Sequence, residues 1–148
     1  MRGQVAFEYL VMFSIVLTIL VILTYYAQDM TERNSQDIIS SNAVIAVKKI
    51  AEAADIVYTQ GEPTQITLSI YIPDRVNSIQ FVGNDTPCTS SISHANIIDM
   101  KISIGSGISD IWAMSKGNFT CDSFISKDSG TRRIVIKSDR GYVNVNEG

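Results

Sequence analysis

The histidine and cysteine side chains that could bind a transition metal or form a covalent cross-link are few in this sequence of 148 residues: His94, Cys88 and Cys121. The cysteines form no CxxC element, so their spacing argues against a metal site. If the segment that carries them is exported, the simplest chemistry is one Cys88–Cys121 disulfide. It would close a loop of about 33 residues and stabilise the fold by about 2–4 kcal/mol. Two unpaired thiols are the alternative.

Two N-x-[ST] sequons could accept an N-linked sugar if this part of the chain is exported. They begin at Asn84 and Asn118, and both lie in segments that we predict to be loops. Pro87 follows the first sequon and disfavours it, and matches to so short a pattern often arise by chance. Asn118 is therefore the better candidate.

No motif in the sequence supports catalysis or a cofactor. GxSxG, Walker A, HExxH and a Gly-rich βαβ turn are all absent. The segment IGSGIS at 104–109 reads as a loop, and Trp112 reads as a core residue or an intersubunit contact. The formal net charge is -3 with no basic patch, which argues against a nucleic-acid partner. We expect neither an enzyme nor a bound cofactor.

The residues after Glu8 form an apolar run of membrane length, with no charged residue from Tyr9 to Gln28. About 20 such residues can span a bilayer as a helix. Arg2 lies before the run and Asp29 after it, so the positive-inside bias places the N-terminus in the cytoplasm and the rest of the chain outside. The run is too long for an ordinary secretory signal peptide, and no A-x-A cleavage pattern follows it.

Glu8 needs an explanation, because a carboxylate inside a membrane is costly. One interpretation places Glu8 at the headgroup level, where the positive end of the helix dipole stabilises it. The surrounding RGQVAFEYL favours another. It resembles the processing site of archaeal type IV pilins with class III signal peptides, in which a short basic leader ends in Gly. A prepilin peptidase then cuts before a Gln-x-Ser-x-Glu segment. Here Ala6 replaces the Ser.

The resemblance implies that Gly3 ends the leader and that Gln4 becomes the new N-terminus. It also places Phe7, Glu8 and Tyr9 in the segment that directs assembly. The new α-amine has an ordinary pKa of about 7.7–8.0 and is mostly cationic at neutral pH. Burying it unpaired in a filament core would be costly, and Glu8 of a neighbouring subunit would neutralise it and fix the helix register.

Helical character continues beyond the apolar run. Apolar residues recur at three- to four-residue steps through Ile39, Ala43, Ala46, Ile50, Ala53 and Val57. We therefore predict one long helix from about Val5 to Tyr58, ended by Gly61 and Pro63. The polar stretch Thr31–Ser41 is where it could bend or loosen.

From Thr64 the apolar period changes to two, which is typical of strands. Strand candidates are TQITLSIYIP, VNSIQFVG, NIIDMKISIG, GTRRIVIKS and GYVNVN, the last two forming a hairpin around DRG. Segments Thr86–Ser93 and Gly105–Ser109 read as loops. The predicted fold is α+β, a long helix with a head of four or five antiparallel strands, as in type IV pilins. The predicted parts are a leader at 1–3, a transmembrane or filament-core helix at 4–28, an amphipathic continuation at 29–60 and a β head at 61–148.

The favoured function is a structural subunit of a surface filament used for adhesion, a homo-oligomer inserted in the membrane before assembly. The resemblance implies a prepilin peptidase and an ATPase-driven assembly platform as partners. A non-polymerising bitopic membrane protein or minor pilin whose exported β-domain binds a ligand or partner remains the alternative. A membrane-anchored enzyme is a third, but no motif supports it.

Overall fold

The computed structural model describes residues 2–83, 86–87 and 95–148. It begins with one long helix, α1 (Arg2–Gln60), as the apolar periodicity predicted. The strands are β1 (Gln65–Ile72), β2 (Val76–Gly83), β3 (Thr86–Pro87), β4 (Ala95–Ile104), β5 (Gly107–Phe119), β6 (Gly130–Asp139) and β7 (Tyr142–Glu147). This is the predicted α+β pilin-like fold.

The chain forms two compact units, Met1–Asp37 and Ile38–Gly148. Their boundary lies within the polar stretch Thr31–Ser41, where α1 remains helical. The first unit is the apolar helical segment with its polar extension. The second unit, which we call the head, holds the rest of α1 and the whole sheet.

The head has one hydrophobic core, in which one side of α1 packs on one face of the sheet. The helix contributes a stripe of small and β-branched residues at helical spacing, centred on Ala46, Ile50 and Val57, and each is at most 2% exposed. The sheet contributes alternate residues of its strands, including Ile70, Ile98, Ile102, Phe119, Ile134, Ile136, Val143 and Val145. The predicted amphipathic face of the helix is therefore the face that is buried.

The sheet has the strand order β1-β6-β7-β5-β4-β2-β3. Its neighbours are antiparallel except for a short parallel contact between β5 and β7, where Phe119 lies opposite Val143. The predicted hairpin around DRG is present as β6–β7, and its turn residues Arg140 and Gly141 have φ values of 51° and 82°. Both central φ values are positive, as in the tight turns that suit the twist of a hairpin.

Gly61 ends α1, as predicted, because it adopts φ 70°, a conformation that other residues rarely tolerate. Its amide donates to the carbonyl of Val57 at 3.1 Å. The amide of Thr64 then donates to the carbonyl of Gly61 at 2.9 Å, which turns the chain into β1. The period-two pattern that starts at Thr64 therefore begins directly after the turn that ends the helix.

The prediction of four or five strands was too low, chiefly because β5 was missed. The predicted loop Gly105–Ser109 is wrong over its second half, since β5 begins at Gly107. Asn118 is also in β5 rather than in a loop. Within the predicted loop Thr86–Ser93, Thr86–Pro87 pairs with β2 as a short strand, and the remainder lies outside the described residues.

Candidate assembly surfaces

The apolar segment of α1 is uncovered on every side. From Phe7 to Tyr26 its large apolar side chains are between 39% and 76% exposed. Phe7 is 69% and Tyr9 is 73% exposed, and Glu8 between them is also exposed. Gly3 and Gln4 lie in the first turns of the helix. Contiguous apolar surface on this scale marks a site that a membrane or another protein covers.

The serine and threonine hydroxyl groups of this segment are satisfied within the helix. Ser14 donates to the carbonyl of Val11, Thr18 to that of Ser14, and Thr24 to that of Leu20, each at 2.8 Å. A hydroxyl without a partner is costly in an apolar medium, and these bonds remove that cost. The helix is long and apolar enough to cross a membrane. Its composition suits a bilayer or the dry core of a bundle equally well.

The covalent sites predicted in the head fall partly outside the described residues. Cys121 lies in the turn after β5. Cys88 and His94 lie outside the described residues, so the Cys88–Cys121 pairing stays a prediction. No group of three His, Cys, Asp or Glu side chains that could hold a metal occurs within 2–83, 86–87 and 95–148.

Of the two sequons, only the second can be placed. Asn84 lies outside the described residues, whereas Asn118 is exposed near the end of β5. Thr120, the sequon hydroxyl, accepts a hydrogen bond from the amide Nδ2 of Asn144 at 3.0 Å and lies 3.3 Å from the hydroxyl of Ser123. The Asn118 side chain is thus accessible, while the hydroxyl two residues on is engaged.

A groove on the outer face of the sheet, away from α1, combines apolar and acidic side chains. It has a volume of about 510 Å³ and is lined by Val82, Ile97, Asp99, Asp110, Trp112 and Met114. We call it the acidic groove. Trp112 is 64% exposed, so it is not a core residue, and the predicted alternative, an intersubunit contact, stays a prediction.

The two carboxylates of the acidic groove, Asp99 and Asp110, have different surroundings. Asp110 forms an ion pair with Lys101 at 3.5 Å. Asp99 lies directly opposite Trp112 in the β4–β5 register. Burial raises the pKa of Asp99, and the nearby Asp110 adds to the rise while Lys101 opposes it. Desolvation disfavours the charged form of a carboxylate, which accounts for the direction.

Sequence reasoning missed this groove, although a signal for it was present. In DMK at 99–101, the first and third residues share one face of a strand. In DIWAM at 110–114, the first, third and fifth residues do. Two adjacent strands read with period two would have placed Asp99, Lys101, Asp110 and Trp112 on one surface. The β5 strand had to be recognised before that pattern could be used.

Comparison with known proteins gives one match. Residues 2–26 match the family described as Class III signal peptide. No curated protein and no solved structure matches the chain significantly. The matched residues contain Gly3, Gln4 and Glu8, together with most of the apolar run.

The matched segment, the long apolar helix and the β head together support a type IV pilin-like protein. A class III signal peptide supports a pilin-type protein that prepilin peptidase processes, and hence a membrane-anchored, secreted chain. The resemblance found in RGQVAFEYL is therefore confirmed at the level of this class.

Proposed function

We propose that this protein is the structural subunit of a type IV pilus-like filament on the cell surface, and that it serves in adhesion. Prepilin peptidase would cut between Gly3 and Gln4, and an ATPase-driven platform would move the subunit from the membrane into the filament. We assign it no catalytic activity. Adhesion rests on the resemblance to pilins.

One observation carries the proposal: within the segment matched to the class III signal peptide family, the large apolar side chains from Phe7 to Tyr26 are uncovered on every side of the helix. A helix that is apolar all round needs a surrounding apolar phase. A bilayer supplies one before assembly, and a bundle of identical helices supplies another afterwards. A heterologous contact that does not close generates a helical polymer of that kind.

Glu8 gives the bundle a definite register. Removal of residues 1–3 leaves a cationic amine at Gln4, and the Glu8 carboxylate of a neighbour can pair with it in the dry core. Unpaired, either charge would be costly to bury. We therefore expect the two groups to be needed together for assembly and not for membrane insertion.

Electron microscopy of filaments sheared from cells tests this proposal. Glu8→Gln should reduce filaments on the order of tenfold or more while leaving the subunit in the membrane, since loss of a partner to a buried charge costs about 3–5 kcal/mol. Glu32→Gln, which removes a carboxylate beyond the apolar run, is the matched control and should assemble as the unmodified protein does. A wild-type chain that makes no filament and stays in the membrane would contradict the proposal and support a bitopic anchor with an exported domain.

A further inference from the structure

Among the described residues of the head, the outer face of the sheet carries charges without ion-pair partners at two separate places, negative at one and positive at the other. In the acidic groove, Asp99 has no ion pair or hydrogen bond among the described residues, because Lys101 contacts Asp110 instead. On β6, Arg133 and Lys137 are exposed on the same outer face, and the described part of the chain gives neither an ion-pair partner. We call these two cations the basic strip.

The acidic groove places an aromatic ring beside a carboxylate. Trp112 and Asp99 are Cα partners across β4 and β5 and point to the same face. Side chains opposite each other in an antiparallel pair have Cβ atoms about 4.5–5.5 Å apart. A cation stacked on the indole of Trp112 would therefore lie within reach of the Asp99 carboxylate. Met114 and Ile97, a second cross-strand pair, add an apolar floor beside it.

A guanidinium fits this place better than an ammonium. It is planar and weakly hydrated, stacks on aromatic faces and binds carboxylates with a fork of N–H donors. Arg133 is the exposed arginine of the outer sheet face. Val135 follows it on the same face and is half-buried, so the arginine is flanked by an apolar side chain that can meet the floor of the groove.

The two places do not face the same way. Three strand steps separate β6 from β4 in the sheet. Adjacent strands are rotated by roughly 20–25° each, so the surfaces at the two ends of these steps are turned well away from one another. A contact between differently oriented patches on identical molecules is heterologous, and it propagates instead of closing into a dimer.

We propose that the heads of neighbouring subunits contact each other through these two surfaces, with Arg133 of one copy stacked on Trp112 and paired with Asp99 of the next copy. The proposal rests on the proposed function, because it is the filament that brings copies of the chain side by side. It adds a second contact, in the head, to the contact between apolar helices. The occupant of the acidic groove is thus a second copy of this chain.

The test uses Trp112 itself, since it is the sole tryptophan of the sequence. Fluorescence quenching by acrylamide is measured on the full-length protein, first as detergent-solubilised subunit and then as purified filament. Trp112 should be readily quenched in the subunit and several-fold less in the filament. Arg133→Ala should restore quenching in the filament, whereas Arg132→Ala, which removes the neighbouring arginine of the opposite face, should not.

A charge exchange identifies the occupant. Asp99→Arg or Arg133→Asp alone should lower the filament yield on the order of tenfold, and the double variant should recover most of it because the pair is restored with its signs reversed. Asp74→Arg, in the turn before β2, controls for the change in net charge. Circular dichroism of each solubilised variant verifies that the head is folded.

The outcomes separate the two proposals. Filaments in which Trp112 is quenched as in the subunit would overturn the head contact and leave the filament proposal standing. Protection of Trp112 that Arg133→Ala does not change, or a double variant no better than the single ones, would overturn Arg133 as the occupant. A wild-type chain that forms no filament would overturn both.

Discussion

The carboxylate of Asp55 on α1 accepts two hydrogen bonds from β5, one from the hydroxyl of Ser115 at 2.8 Å and one from the backbone amide of Lys116 at 2.7 Å. Ser115 is 5% exposed, and its hydroxyl in turn accepts the amide of Gly117 at 3.1 Å. Ser115 and Lys116 have no registered strand partner, because the β4–β5 register shifts between Met114 and Phe119 and β5 meets β7 only at Phe119. Asp55 supplies an acceptor at this point. This contact fixes the helix against the middle of β5.

Asp55→Ala should destabilise the head by about 1–3 kcal/mol, since it leaves the Ser115 hydroxyl and the Lys116 amide without their acceptor. Asp55→Asn should cost less, because its side-chain oxygen can still accept. Denaturant unfolding of the solubilised chain, followed by circular dichroism, measures both. Glu52→Ala, an exposed change on the same helix, is the control and should stay within about 0.5 kcal/mol of wild type. Equal losses for Asp55→Ala and Glu52→Ala would show that the contact does not stabilise the head.

Gly117 is required by the close approach of β5 to Tyr58. A Cβ at this position would lie 2.8 Å from both Cβ and Cγ of Tyr58, which are atoms at the base of that side chain. Gly117→Ala should therefore destabilise the head by about 1–3 kcal/mol through overpacking. Gly107→Ala, whose Cβ would meet only the carbonyl of Ile104 at 3.8 Å, is the matched control and should cost little.

A second substitution, at Tyr58, tests whether the contact between Gly117 and Tyr58 is the cause. If the clash with Tyr58 is the cause, Tyr58→Ala should lose less stability in the Gly117→Ala background than in the wild type. The same unfolding measurement gives this coupling. Strictly additive losses would contradict the steric explanation.

Asp99 should make the solubilised subunit less stable as the pH rises. Burial raises its pKa in the folded state above its ordinary 3.8, so the folded state holds a proton that the unfolded state has already released. Stability is then greatest below the ordinary pKa and falls as the pH rises through the raised pKa. Asp99→Asn should be more stable than wild type at neutral pH and lose this advantage in acid. The free energy of unfolding measured across this range tests it, with Asp74→Asn as control, and a constant difference between Asp99→Asn and wild type would contradict it.

Asn118 should carry any N-linked sugar on the head, because its side chain is exposed at the end of β5. The engaged Thr120 hydroxyl implies that attachment precedes folding, since the folded state holds that group in a hydrogen bond to Asn144. Intact mass of the exported protein should fall by the mass of one glycan in Asn118→Gln and not in Asn84→Gln. A mass equal to that of the unmodified chain in the wild type would contradict the prediction.

The sequence predicted the elements whose apolar residues face the core. The helical stripe through Ala46, Ile50 and Val57 and the alternation in β1, β4 and β6 all mark buried faces. Strand β5 escaped notice because its pattern is inverted. After Ile111 its inward positions become small, through Ala113 and Ser115 to Gly117, where α1 approaches closely. Three of its large apolar residues, Ile108, Trp112 and Met114, point outward.

Functional residues that lie close together in the sequence were predicted, whereas contacts that form only in the folded head were missed. Gly3, Gln4 and Glu8 lie within six positions of one another, so one short segment displays them. The Asp55–Ser115 contact and the pairing of Asp99 with Trp112 join residues far apart in the chain. Both depend on the β5 register, which no local pattern supplied.

The most direct measurement for the central claim is intact mass with N-terminal sequencing of the protein recovered from sheared surface filaments. A class III signal peptide that is cut between Gly3 and Gln4 predicts a chain that begins at Gln4, within material that forms filaments. A chain that begins at Met1 and remains in the membrane fraction would contradict the account.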